Sequence, residues 1–221
     1  RPCCSSLLWD AGQAMMRCAS SRRWMSSARW TNFIADHSAG ILPGVLRAVA
    51  ASNTGAAKSY GADTSSSDLR TALSELFQTD VEMLIATTGT ASNSLALSCL
   101  CPPYGAMLCQ SAAHAETSEC GAPEFYSGGR LMKVKGQPDG RMSVDALRKI
   151  LSRPAKIPHE APPKVVSVTQ PTESGAVYSI PDTAAICRTA HDHGIAVHMD
   201  GARFANALVA GSASPAELTW K

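Results

Sequence analysis

From Phe33 onward, short apolar runs alternate with segments of helical period, and this alternation limits the available folds more than any other feature. Pro43 to Ala51 reads as a helix with proline in its first turn. Ser66 to Phe77 is a second, with Leu69, Leu73, Leu76 and Phe77 on one face. Glu82 to Ala86 reads as a short strand, followed by a turn over 87–90 and a helix from Ala91 to Cys101. Ala106 to Cys109 and Leu131 to Val134 are predicted strands, and Val144 to Leu151 a helix. After a proline-rich loop over 154–163 come a strand from Lys164 to Thr169 and a helix from Pro181 to His193. Gly194 closes that helix, and Ile195 to Met199 forms the next strand. Repeated alternation of this kind predicts an α/β fold: a mostly parallel sheet with helices on both faces.

Length and charge narrow the class. The 221 residues suffice for one large domain, and only 17% are charged. That is below the usual roughly 25%, as in a large α/β enzyme or an oligomer. Residues 1–30 carry five Arg, no Lys and one acid, Asp10, and are otherwise rich in Ser and Ala. Such a leader has the composition of a mitochondrial or plastid transit peptide, and it is set apart from the folded region over 31–221. Without a transit function, a cytoplasmic location is expected. The remaining chain has a net charge of −2, which gives no electrostatic reason to expect nucleic acid or an anionic membrane surface as a partner. No apolar run reaches membrane-spanning length. Eight cysteines occur without a C-x-x-C pair, and they read as free, buried thiols of a reducing compartment.

Four places could carry chemistry. The strand from Ile195 delivers Asp200 at its carboxyl end, followed by Gly201, Ala202 and Arg203. Ligands of open α/β sheets bind in the crevice beyond the strand ends, and a carboxylate buried there needs a cationic partner such as a protonated pyridine nitrogen. An Asp capping the next helix fits the same pattern. The turn Thr87-Thr88-Gly89-Thr90 opens a helix, so free N–H groups and the helix dipole there suit an anion; an ordinary Thr cap fits equally. It lacks the glycine spacing of a dinucleotide or ATP loop. His114 follows a strand and could lie on a flat cofactor or face solvent as a loop residue. His191, His193 and His198 read as helix-end and strand residues, and no metal is expected.

These motifs occur in an order that resembles the low-specificity threonine aldolases, pyridoxal phosphate (PLP) enzymes of the aspartate-aminotransferase fold type, fold type I. The resemblance rests on Asp36 with Ala39-Gly40 and Pro43, and on Tyr60-Gly61-Ala62-Asp63. It continues through Thr88-Gly89-Thr90-Ala91-Ser92-Asn93, and His114 with Glu119-Cys120-Gly121-Ala122-Pro123. Thr169-Gln170 with Thr172-Glu173, and His198-Met199-Asp200-Gly201-Ala202-Arg203, complete it. It implies that Gly89 and Thr90 hold the PLP phosphate, His114 stacks on the ring and Asp200 pairs with the ring nitrogen. Arg203 would meet the ring oxygen or the substrate carboxylate, and His114, or a water it positions, would be the base. Asp36 and Tyr60 would lie near an active site shared with a second subunit of a homodimer or homotetramer. The implied reaction is retro-aldol cleavage of L-threonine or L-allo-threonine to glycine and acetaldehyde.

The resemblance places the family's Schiff-base lysine beyond Lys221, and Lys58, Lys133, Lys135 and Lys164 match no such context. The chain is therefore expected to be a partial PLP-binding large domain, incomplete at its C-terminus and inactive alone. Ala35-Asp36-His37 departs from the family's Ser-Asp-Asn, and Pro171 replaces a small residue. Two further readings stay open: another PLP lyase that catalyses β-elimination, and a non-catalytic assembly partner.

Overall fold

The computed structural model describes residues 39–221; the leader over 1–30 and Asp36 lie outside the described residues. Two compact units are distinguished, one ending at Ala57 and the other running from Lys58 to Lys221. The described part of the first contains helix α1 (Pro43–Ser52), which proline opens as expected.

The second unit begins with α2 (Thr64–Phe77) and α3 (Gly89–Leu100). Asp63 caps α2: its side chain accepts from the Ser66 hydroxyl at 2.7 Å and the Ser66 N–H at 2.9 Å, and these bonds lower its pKa. Next come β1 (Ala106–Gln110), the short helices α4 (His114–Thr117) and α5 (Ala122–Ser127), and β2 (Arg130–Val134). The remaining elements are α6 (Val144–Leu151), β3 (Pro163–Thr169), α7 (Ile180–His191), β4 (Ala196–Asp200) and α8 (Phe204–Gly211). A capping box at Ser179 and Asp182 starts α7, with Pro181 in its first turn.

The four strands form one parallel sheet in the order β2-β1-β3-β4. Side chains alternate between two apolar layers. Leu108, Val166 and Val168 pack with Leu147 of α6 and Ile186 and Ala190 of α7 on one face. Met107 and Val165 pack with Leu97 of α3 and Cys101, which caps that helix, on the other. Helices thus cover both faces, as the alternation predicts. β1, in the interior of the sheet, is buried along its whole length.

Two expectations need correction. Residues 82–86 form no strand; a strand needs a neighbour for its hydrogen bonds, and this segment pairs with none of the described strands. Leu84 is accordingly 95% exposed. The described cysteines are free, but only Cys101 and Cys109 are buried, whereas Cys99 and Cys120 are exposed. On α3 the buried residues Asn93, Ser94 and Leu97 share one face with the capping residue Cys101, and Cys99 falls outside it. Burial pushes the Cys109 thiol up to about 12.

Leu108, fully buried against both α6 and α7, tests the two-layer core. Leu108→Ala is expected to lower unfolding free energy by about 2–5 kcal/mol, whereas Leu84→Ala should leave it within about 0.5 kcal/mol of the parent. Urea titration of both variants checks the contrast.

Candidate functional site

The strand order determines where a site can form. From β1 the chain moves outward to β2, then crosses back to β3 on the other side of β1. The loops leaving β1 and β3 therefore diverge and open a crevice at the carboxyl end of the sheet. His114 leaves β1 into this crevice, and Glu173 leaves β3. The two meet: the His114 backbone N–H donates to Glu173 Oε1 at 2.6 Å. Glu173 Oε2 accepts from Gln110 Nε2 at 3.2 Å, and Gln110 is fully buried at the end of β1. Gln110 Oε1 in turn accepts from the Thr169 N–H and the Tyr178 hydroxyl, each at 3.1 Å. Burial raises the Tyr178 pKa to about 12. Every polar atom of the Gln110 side chain has a partner, which makes this network rigid rather than costly.

Asp200 is the last residue of β4, paired in register with Thr169. Val197 and Met199 pack toward the α6–α7 layer, so alternation turns His198 and Asp200 toward α3. There Asn93, one turn into α3, donates from Nδ2 to Asp200 Oδ2 at 3.0 Å. The Ala202 N–H donates to the other oxygen, Oδ1, at 3.1 Å. Asn93 Nδ2 also donates to Glu119 Oε1 at 2.8 Å, and the same oxygen lies 2.8 Å from His114 Nδ1. One hydrogen-bonded chain thus joins Asp200, Asn93, Glu119 and His114.

Gly89 and Thr90 are the first two residues of α3, one turn before Asn93. Thr88 caps this helix, its side chain accepting from the Ala91 N–H at 3.1 Å. The cap and the anion-site readings of this turn are therefore compatible. Thr88 satisfies Ala91, while the N–H groups of Gly89 and Thr90 have no acceptor within the helix. Gly89 borders open space, with nothing within 4 Å of where a Cβ would stand.

The other expected residues lie differently. Arg203 is exposed at the N-cap of α8, three residues past Asp200. Tyr60 is fully exposed in the left-handed region, at φ 61°. It borders an open cavity of about 530 Å³ with Gly61, Ser66, Arg70 and Leu84, a lining that includes neither His114 nor Asp200. His193 bonds the Thr189 carbonyl at 2.9 Å. Among the described residues no helix is long and apolar enough to cross a membrane.

Asn93 and Glu119 received no role from the sequence. The available signal was their spacing: Asn93 follows Gly89 by one helical turn, so both face the same way. Glu119 had no comparable periodicity. It turns back to His114 because α4 ends after one turn and Cys120 and Gly121 adopt φ 52° and 74°.

A family model described as Beta-eliminating lyase matches residues 32–221. The chain belongs to the beta-eliminating lyase family. Among relatives, the low specificity L-threonine aldolases of Pseudomonas sp. (strain NCIMB 10558) and Pseudomonas aeruginosa are each 41% identical over 189 residues. Each alignment covers 86% of this chain and 54% of the relative, so the chain spans about half the length of the curated relatives it matches. The structure of Leishmania major threonine aldolase aligns at TM-score 0.78 and 27% identity, over 84% of this chain and 54% of that one. The resemblance drawn from the motifs and this family assignment agree.

His198 stands beside the chain of polar groups. Its Nδ1 lies 2.9 Å from Ser167 Oγ, and burial lowers its pKa against the opposing pull of Asp200 and Glu119. A histidine whose folded pKa is depressed makes the unfolded state the better proton binder as pH falls below about 6.5. Stability should therefore rise with pH between the depressed folded value and about 6.5. His198→Gln is expected to flatten that part of the profile, as read from urea midpoints between about pH 5 and pH 7.

Proposed function

We propose that this chain forms the cofactor-binding large domain of a PLP-dependent lyase that cleaves L-threonine or L-allo-threonine to glycine and acetaldehyde. The observation carrying the reading is the convergence of a carboxylate, an imidazole and a helix N-terminus through Asn93. The 41% identity to the two low specificity L-threonine aldolases supports the choice of reaction.

The residues fit the group they would hold. An anionic phosphate suits the unbonded N–H groups of Gly89 and Thr90 and the positive end of α3. Asp200 has one donor on each oxygen, leaving a lone pair on each for a protonated ring nitrogen. The His114 side chain is 49% exposed beside it, so its face is open to a flat ring. Bound PLP supplies the electron sink that accepts the pair released when the Cα–Cβ bond breaks.

The protein side of the reaction is orientation and proton transfer. Asp200 keeps a proton on the ring nitrogen by remaining its hydrogen-bond acceptor. His114, directly or through a water, takes the β-hydroxyl proton of the substrate. Loss of that proton turns the Cβ–O bond into the carbonyl of acetaldehyde as the Cα–Cβ bond breaks; Cα then takes up one proton, from His114 or water, and glycine keeps the remaining carbons and the nitrogen. Arg203 meets the substrate carboxylate or the ring oxygen with its guanidinium fork. Asp36 and Tyr60 belong to the part of the site completed by a second subunit in a homodimer or homotetramer. The substrate is a small amino acid, and neither nucleic acid nor membrane is a partner. A β-eliminating lyase is the second reading, favoured by the description of the matching family model.

Two measurements test this. Protein expressed from the complete coding sequence should release acetaldehyde and glycine from L-threonine; an α-keto acid with ammonia would establish the second reading instead. In the 221-residue chain, Asp200→Asn removes the charge but keeps an acceptor for Asn93. Loss of a charged hydrogen bond of about 2 kcal/mol should weaken PLP binding about thirtyfold. Equilibrium dialysis measures it, and unchanged affinity would remove Asp200 from the site.

A further inference from the structure

His114 is held at two points. Its backbone N–H is fixed by Glu173, and its ring by Glu119. The Glu119 side chain has 0% exposure, whereas that of His114 has 49%. Glu119 therefore acts on the crevice through its two partners, the His114 imidazole and the Asn93 amide.

Hydrogen-bond counting determines what it contributes. An amide nitrogen carries two hydrogens and does not accept. Asn93 Nδ2 directs one to Asp200 Oδ2 at 3.0 Å and one to Glu119 Oε1 at 2.8 Å. The flipped amide would set its oxygen against two carboxylates, which excludes that orientation. Glu119 Oε1 is thus an acceptor toward Asn93, and it faces His114 Nδ1 at 2.8 Å. A carboxylate oxygen acting as acceptor on both sides requires the hydrogen on Nδ1. In the neutral ring, Nε2 then carries the free lone pair. Free imidazole in water has no such restriction; which nitrogen is protonated follows from the bond that the other makes.

We propose that Asn93 and Glu119 are positioning residues that hold His114 as its Nδ1–H tautomer and tie the orientation of its ring to the Asp200 carboxylate. The lone pair is thereby left on Nε2, the ring nitrogen not engaged by Glu119, in a side chain that is half exposed, and it is the lone pair that the base proposed above would use. The arrangement parallels the acid–imidazole pair of serine hydrolases, in which a buried carboxylate sets the tautomer without taking part in proton transfer. The link to catalysis rests on the proposed role of His114 as base; the tautomer itself does not.

The test uses the 221-residue chain, free of cofactor and substrate, with ¹⁵N-labelled histidine. Two-bond ¹H–¹⁵N correlation spectra distinguish the two tautomers on the alkaline plateau of the ring shifts. His114 should show a pyrrole-type Nδ1 and a pyridine-type Nε2. Glu119→Leu removes the acceptor and should invert that assignment, whereas Glu119→Gln offers its carbonyl oxygen and should preserve it. A merely structural role for Glu119 would not move the tautomer. An Nε2–H tautomer in the unsubstituted chain overturns the proposal without any variant having to fold, and so does an Nδ1–H tautomer that survives Glu119→Leu. Because no PLP or amino acid is present, this result is independent of the reaction catalysed. Absence of acetaldehyde from L-threonine would defeat the functional reading and leave the tautomer assignment intact.

Discussion

One amide nitrogen, Asn93 Nδ2, joins the parts of this site. It donates to Asp200 at the end of β4 and to Glu119 in the loop beyond α4, contacts separated by 107 and 26 residues in the chain. Without it, two acidic side chains would approach each other in a partly buried crevice with nothing between them, an unfavourable arrangement at low dielectric. With it, the acid at the sheet edge, the imidazole beyond β1 and the N-terminus of α3 belong to one network. Asn93 is itself 6% exposed, so its bonds meet little competition from water.

The sheet makes that meeting possible. A parallel sheet puts all its carboxyl ends on one edge, and the reversal of strand order around β1 opens the crevice there. Two apolar layers hold the strands rigid, with Leu108 and Val166 facing α6 and α7 and Met107 and Val165 facing α3. Fully buried Gln110 ends β1 and links Thr169, Tyr178 and Glu173, so the loops after β1 and β3 are braced by the sheet.

Much of this was legible in the sequence. Period and length identified α1, α2, α3, α6 and α7 but not the short α4 and α5, and the β-branched run before Thr169 and the apolar run before Asp200 identified two strands. Asp200, His114 and the Gly89 turn stood out because each follows or precedes an apolar run, where an α/β fold places ligand-binding groups. Glu119 did not, since an acid in a polar loop looks like a solvated residue until two left-handed residues, Cys120 and Gly121, fold it inward. Residues 82–86 misled for the opposite reason. Their apolar composition satisfies the local pattern of a strand, but pairing is a tertiary property, and none of the described strands lies beside them. Tyr60 was placed near the site by resemblance alone, and its proposed role there rests on a second subunit.

The central claim is that the crevice bounded by Gly89, His114 and Asp200 is one preorganised site for a flat, phosphorylated cofactor. A crystal structure of the chain with pyridoxal phosphate tests it most directly. The phosphate is expected at the first turn of α3, the ring against His114 and its nitrogen on Asp200, with the Asn93 bonds unchanged. A ligand bound elsewhere, or an Asp200 side chain turned away from Asn93 and the ring, would contradict it.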